Sequence, residues 1–193
     1  MIIKCKMCGG DIEFVPGATY GTCEYCGSTS TIPKSDDEGK LNRYNRANHF
    51  RRQGEFDKAL AAYEKILEQD DADAEAHWGA AISRYGIEYV EDPATGRRIP
   101  TCHRLQLTSI LADEDYRAAV EHAPDAESRR LYEEEAARVA EIQNDLSRYA
   151  EKAMACFVTG DTELTDENWN TFCSTVEEKG LQELIGIWQK ALH

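Results

Sequence analysis

The chain has 193 residues, 36 of them acidic against 22 basic, giving a formal net charge of −14 and a sequence pI near 4.8. An excess of acid this large repels a phosphate backbone and argues against a nucleic-acid partner. No stretch approaches the roughly 18 apolar residues of a membrane span, so no membrane partner is expected either.

The first 33 residues form a compact four-cysteine unit. Cys5-Lys-Met-Cys8-Gly9 and Cys23-Glu-Tyr-Cys26-Gly27 are two C-x-x-C-G knuckles, with fourteen residues between Cys8 and Cys23. One such turn lets two thiolates grip a metal ion, and two of them close a tetrahedral shell. Glycine after each second cysteine suits a backbone that must take positive φ there. Residues 11–15, 19–22 and 29–33 read as short strands around a Pro16-Gly17 turn. The unit is expected to be a small β zinc ribbon with Cys5, Cys8, Cys23 and Cys26 as metal ligands. Thiolate ligands favour zinc, and iron fits the same cage. With all four cysteines spent on coordination the site is expected to be structural, with no open position for water. Two disulfides are the alternative. Met1 leads straight into the first knuckle with no apolar signal segment, so a cytoplasmic, reducing location is expected, where such pairs favour metal.

Residues 34–40 are polar and read as a linker. From residue 41 the pattern is helical. Counted from Phe56, the residues Ala59, Leu60, Tyr63, Ile66 and Leu67 share one helical face. Helices joined at Gly54, followed by another helix over 74–89 with Ala81 standing 34 residues after Ala47, resemble a tetratricopeptide (TPR) repeat. The second unit then departs into a long loop at 88–104. The expected fold is therefore mainly α, a ribbon followed by a TPR-like helical region over 41–123. An ordinary helical hairpin is the plainer alternative.

Further on, residues 105–111 and 116–122 read as short helices. Pro124 and Asp125 start a long one. Its positions Val139, Ile142, Leu146, Tyr149, Ala153 and Cys156 approximate a heptad seam, although extending the seam back to Tyr132 puts Glu135 at a core position. Packing onto its own domain is the expected use, with an oligomer through the 132–157 helix as the other. The remainder of 124–193 reads as a helical hairpin, with Trp169, Phe172, Cys173 and Val176 on one face and a last helix after Gly180.

No P-loop, dinucleotide fingerprint, H-E-x-x-H or G-x-S-x-G motif is present, so no catalytic residues are expected. Cys102-His103, beside a loop, offers a reactive or metal pair, but adjacent residues rarely both ligate. Arg97, Arg98 and Arg104 make the 88–104 stretch the most basic patch, either neutralising nearby acids or contacting an acidic partner. Trp78, Tyr85 and Tyr89 read as core, or as peptide contacts on a concave repeat surface.

Cys5-Lys-Met-Cys8-Gly-Gly, Tyr44-Asn-Arg-Ala-Asn-His-Phe-Arg-Arg52, Phe56-Asp-Lys-Ala-Leu60 and Arg84-Tyr-Gly-Ile-Glu-Tyr-Val-Glu-Asp-Pro93 carry a likeness. Arg98-Ile-Pro-Thr-Cys102 and Asp113-Glu-Asp-Tyr-Arg-Ala-Ala119 extend it. Over about residues 1–145 the chain resembles the N-terminal region of bacterial TIR-domain (Toll/interleukin-1 receptor) proteins. The resemblance implies a zinc ribbon and helical region placed before a TIR domain that scaffolds signalling or cleaves NAD. After Gln143 the sequence stays helical, so no TIR catalytic glutamate carries over. Around Phe157-Val-Thr-Gly160 and Gly180-Leu-Gln-Glu-Leu184 it resembles the terminal helices of bacterial extracellular solute-binding proteins. The resulting expectation is a non-catalytic, zinc-binding module that recognises a protein or peptide. A regulatory part of a TIR-type system is the first alternative, and a zinc-ribbon nucleic-acid binder the second.

Overall fold

The computed structural model describes residues 2–33, 37–104, 106 and 108–178; the helix expected after Gly180 lies outside them. The N-terminal unit consists of two antiparallel strand pairs. β1 (Ile2–Lys4) pairs with β2 (Asp11–Glu13), and β3 (Tyr20–Thr22) with β4 (Thr29–Thr31). The last three fall within the expected strands, while β1 is an addition. Each strand is three residues long, so few side chains point inward and the unit must lean on something else.

It leans on helices. α1 (Glu38–Arg52) begins inside the stretch read as a linker, because the Asp37 carboxylate caps it, accepting from the Gly39 and Lys40 N–H groups at 2.9 and 3.2 Å. The turn into α2 (Phe56–Leu67) falls at Gly54. Ala47, Ala59 and Ala81 are all buried, as close helix approach requires. α3 (Ala74–Arg84) is capped by Asp73, which accepts from Ala76 N–H at 2.9 Å and also takes the Tyr44 hydroxyl at 2.5 Å and Lys40 Nζ at 2.6 Å.

α3 is buried on nearly every side. Ala76 and Ala80 join the ribbon, α1 and α2 in one core, whereas Trp78, Ala81 and Ile82 join a second core made with the elements that follow. This placement decides the aromatic set. Trp78, Tyr85 and Tyr89 are all buried core residues, so none of them forms a peptide-contacting surface.

Residues 88–104 are not a loop. α3 stops at Arg84, and β5 (Ile87–Glu91) pairs antiparallel with β6 (Arg98–Cys102) in the register Ile87↔Cys102, Tyr89↔Pro100 and Glu91↔Arg98. The signal was a period of two: Ile87 and Tyr89 point inward while the alternating Glu88 and Val90 are half-buried. Asp92 builds the tight turn, accepting from Ala94 N–H at 2.9 Å and Thr95 Oγ1 at 2.6 Å.

A single 3-10 turn (Ile110–Ala112) stands where a short helix was expected, followed by α4 (Glu114–Glu121). α5 (Ala126–Thr159) starts at its Asp125 cap and ends at Gly160. Tyr132, Ala136, Val139, Ala140 and Leu146 are buried within the chain's own core. Further along, Tyr149 and Phe157 meet Phe172 and Trp169 of α6 (Asp166–Glu178) at ring-centroid distances of 5.9–6.2 Å. The long helix thus spends its seam on its own domain. Among the described residues no helix is long and apolar enough to cross a membrane.

An ionic group ties α4 to α3. His77 Nδ1 lies 2.7 Å from Asp115, and its Nε2 lies 2.9 Å from the Asp71 carbonyl. Arg84 reaches Asp113 at 2.6 Å and Asp115 at 2.5 Å. The Asp115 hydrogen bond lifts His77 above the ordinary imidazole value, and His77 in turn holds the Asp115 carboxyl low. The His77 contribution to stability is therefore full below pH ~6.5 and is lost as pH rises through the raised folded-state pKa. Urea midpoints between pH 6 and 8 should show this decline, and His77→Gln should flatten it; parallel slopes for the two proteins would refute the assignment.

The close approach of α2 and α3 makes a second prediction. A Cβ at Gly79 would fall inside the Tyr63 ring, which is buried. Alanine favours a helix interior by about 1 kcal/mol over glycine, but forcing that ring aside costs about 1–3 kcal/mol. Gly79→Ala should therefore destabilise the protein in chemical denaturation, against its helix propensity; a gain in stability would contradict the packing described.

Candidate metal centre

The two knuckles are built alike. Cys5 N–H donates to Gly10 O at 2.7 Å and Gly9 N–H to Cys5 O at 2.9 Å; Cys23 N–H donates to Ser28 O at 3.0 Å and Gly27 N–H to Cys23 O at 2.8 Å. Gly9 and Gly27 take φ of 82° and 68°, the left-handed turn that a side chain would strain. These turns bring four sulfurs together. Cys5 and Cys26 Sγ are 3.9 Å apart, Cys8 and Cys23 Sγ 3.6 Å, and all four lie within 4.8 Å of one another.

Those separations test the fit. A tetrahedron with metal–sulfur bonds of about 2.3 Å has edges of ~3.8 Å. A disulfide needs sulfurs about 2.05 Å apart, and Cys5, Cys8, Cys23 and Cys26 form none. The four-cysteine cluster therefore suits a metal ion.

Its protonation chemistry agrees. Burial pushes the Cys5 thiol up and Cys8 up to about 12. At Cys26 burial acts the same way, but hydrogen bonds from Ser28 outweigh it and bring the thiol down to about 7. A divalent cation binds thiolates and displaces their protons, supplying the charge that burial otherwise resists. The Gly10 N–H, 3.4 Å from Cys8 Sγ, points toward that sulfur.

α1 clamps the first knuckle. Arg52 Nη1 donates to the Cys5 carbonyl at 3.2 Å, and Arg51 donates to the Lys6 carbonyl and, at 2.9 Å, to the Ile87 carbonyl. Arg51 is fully buried, its guanidinium 5.0 Å from the Tyr89 ring centroid. Between the two cysteines, Lys6 turns inward, only 4% exposed. Its Nζ lies 2.9 Å from Thr31 Oγ1, 3.3 Å from Glu75 and 3.8 Å from Glu135. Tyr132 and Thr31 donate to the other Glu75 oxygen at 3.0 and 2.5 Å. Burial opposes the charge on Lys6, yet Glu75 and Glu135 outweigh it and hold the ammonium above the usual lysine value. Thr19 adds a tie to the start of α5, donating to Asp125 at 2.6 Å. The sequence reading did not anticipate Lys6, Arg51, Arg52 and Glu75; the one visible sign was Glu135 interrupting an apolar seam.

The arginine patch divides. Arg104 is bound to Asp57 at 2.8 Å and stacked on Phe56, so it belongs to packing. Arg98 is half-buried, near Glu91 at 3.7 Å, while Arg97 is exposed. Both line a cleft of about 630 Å³ with the second knuckle (Cys26, Ser28) and with Arg130 and Arg138 of α5. Arg130 is neutralised there by Glu127 and Glu134. Cys102 is buried and its thiol is pushed up to about 12 by that burial, and His103 sits beside Glu88 at 2.9 Å, so the pair is structural. No family model, curated protein or solved structure matches the chain.

Chelation tests the centre directly. Purified protein should carry one metal per chain by elemental analysis, and a strong chelator should expose four further thiols to a thiol reagent. Cys8→Ser should lose the metal. Metal-free protein with those thiols already unreactive would remove the assignment.

Proposed function

We propose that this chain is a non-catalytic, zinc-binding interaction module, in which a ribbon with zinc at Cys5, Cys8, Cys23 and Cys26 and a TPR-like helical region together present a protein-binding surface. The observation that carries the reading is the junction at Lys6. Metal knuckle, α3 and α5 share one buried ionic cluster, so the metal rigidifies the whole platform rather than an isolated finger. A closed set of four sulfurs leaves no coordination position for substrate. The cleft beside the second knuckle, with Arg97 and Arg98 on its rim, is the proposed contact for an acidic protein partner. Zinc held by thiolates fits a reducing, cytoplasmic setting.

The test pairs capture with chemistry. Wild type and the double variant Arg97→Glu/Arg98→Glu, both confirmed to hold metal, are used as bait from the native host, and partners are quantified by mass spectrometry. A protein partner retained by wild type and reduced about tenfold or more by the variant is expected. Equal retention would refute the surface, and NAD turnover by the purified chain would refute the non-catalytic assignment.

A further inference from the structure

In a chain where acids outnumber bases 36 to 22, a cation on the surface commonly has a carboxylate to pair with. Lys4, Lys6, Lys40, Arg84, Arg104 and Arg130 all take one. The outer face of the α1–α2 hairpin gathers four cations into one groove. Arg43 and Arg46 on α1 and Lys58 and Lys65 on α2 line a groove of about 550 Å³ in which, among the described residues, Glu68 is the one acidic residue. All four cations are exposed. Arg43 is spent on a neutral group, Gln69, and Lys58 on Glu55 at 2.7 Å, while among the described residues no ion pair holds Arg46 or Lys65. Phe50, Ala61 and Ala62 also line the groove. The Phe50 ring has the Arg46 guanidinium 5.4 Å and the Lys58 ammonium 5.8 Å from its centroid.

We propose that this groove is a docking site for a short acidic peptide, one that sets an apolar side chain on Phe50 between carboxylates paired with the arginine and lysine rows. It goes beyond the proposed function and shares no lining residue with the Arg97–Arg98 cleft. The dimensions favour a peptide. Lys58 and Lys65 are seven residues apart, about 10 Å along a helix, which matches roughly three residues of extended chain. The apolar residues between the rows reward a side chain that a phosphodiester lacks. A nucleic acid running beyond the groove would meet a molecule with a net charge of −14.

The experiment uses fluorescence anisotropy on the full metal-loaded chain at low salt, with a fluorescein-labelled peptide Gly-Glu-Glu-Leu-Glu-Glu-Gly as probe. Binding should weaken on raising salt from 50 to 300 mM. It should fall about tenfold or more in Arg43→Glu/Arg46→Glu and in Lys58→Glu/Lys65→Glu. The neutralised variant Arg46→Gln/Lys65→Gln should lie between, and Arg97→Glu/Arg98→Glu should bind as wild type, which separates this site from the cleft. Metal content and circular dichroism confirm that each variant is folded. No binding, equal binding of the same peptide with Gln for Glu, or indifference to the four groove cations would each overturn the proposal. So would tighter binding of a labelled twelve-nucleotide oligothymidine through the same residues, or a wild-type dimer that the groove variants dissociate.

Discussion

α3 is the element on which the rest of the structure depends, because it is wedged between two cores. An eleven-residue helix normally keeps a polar face toward water; this one has almost none, and its composition of Ala, Gly, Trp and Ile follows from that. Small residues Ala76, Gly79 and Ala80 let α2 and the ribbon close in on one side, while Trp78 and Ile82 fill the space toward α4 and α5 on the other. The one carboxylate deep on this helix, Glu75, would be costly there alone. Lys6, Thr31 and Tyr132 together satisfy it, and they come from the knuckle, β4 and α5. A buried ion group assembled from so many elements forms only when all of them are in place.

That dependence explains how so small a ribbon can be well placed. Strands of three residues bury too little apolar surface to stand by themselves. Metal ligation would close the knuckles, but it would not fix where the unit sits. Its position is set by Arg51 and Arg52 gripping carbonyls of the first knuckle, by Lys6 reaching α3, and by Thr19 bonding to the cap of α5. Arg52 also sets positive charge near Cys5 and Cys8, which would lower the electrostatic cost of gathering thiolates there on metal binding.

How much of this was legible in the sequence follows from the range of the interactions involved. The cysteine spacing and its glycines are local, and they led directly to the knuckles. Helical periodicity placed α1, α2 and α5 and the turn at Gly54, and the capping residue Asp125 marked a start that holds. The β5–β6 hairpin was missed because Ile87 and Tyr89 were absorbed into the apparent periodicity of α3, and the Pro93–Gly96 stretch was read as part of a long loop rather than a tight turn. Lys6 and Arg51 were invisible for a different reason. A buried cation is identified by partners 25 to 129 residues away in the chain, and no local pattern encodes them.

Electrostatics at the surface follow from the same division. Where the fold requires a cation inside, as at Lys6 and Arg51, the charge is compensated by carboxylates, carbonyls and an aromatic face, and it belongs to folding. Arg104 and Arg130 are compensated near the surface, and they contribute little to recognition because their charge is already matched. Among the described residues, Arg97 at the hairpin turn and Arg46 and Lys65 on the α1–α2 face are examples of exposed cations held by no ion pair. In an acidic protein, self-neutralisation is the lowest-energy default for an exposed base, since a carboxylate is usually within reach. Arg97 and the Arg46 and Lys65 pair each lie beside a concave surface, and the recognition proposed for those surfaces rests on that uncompensated charge.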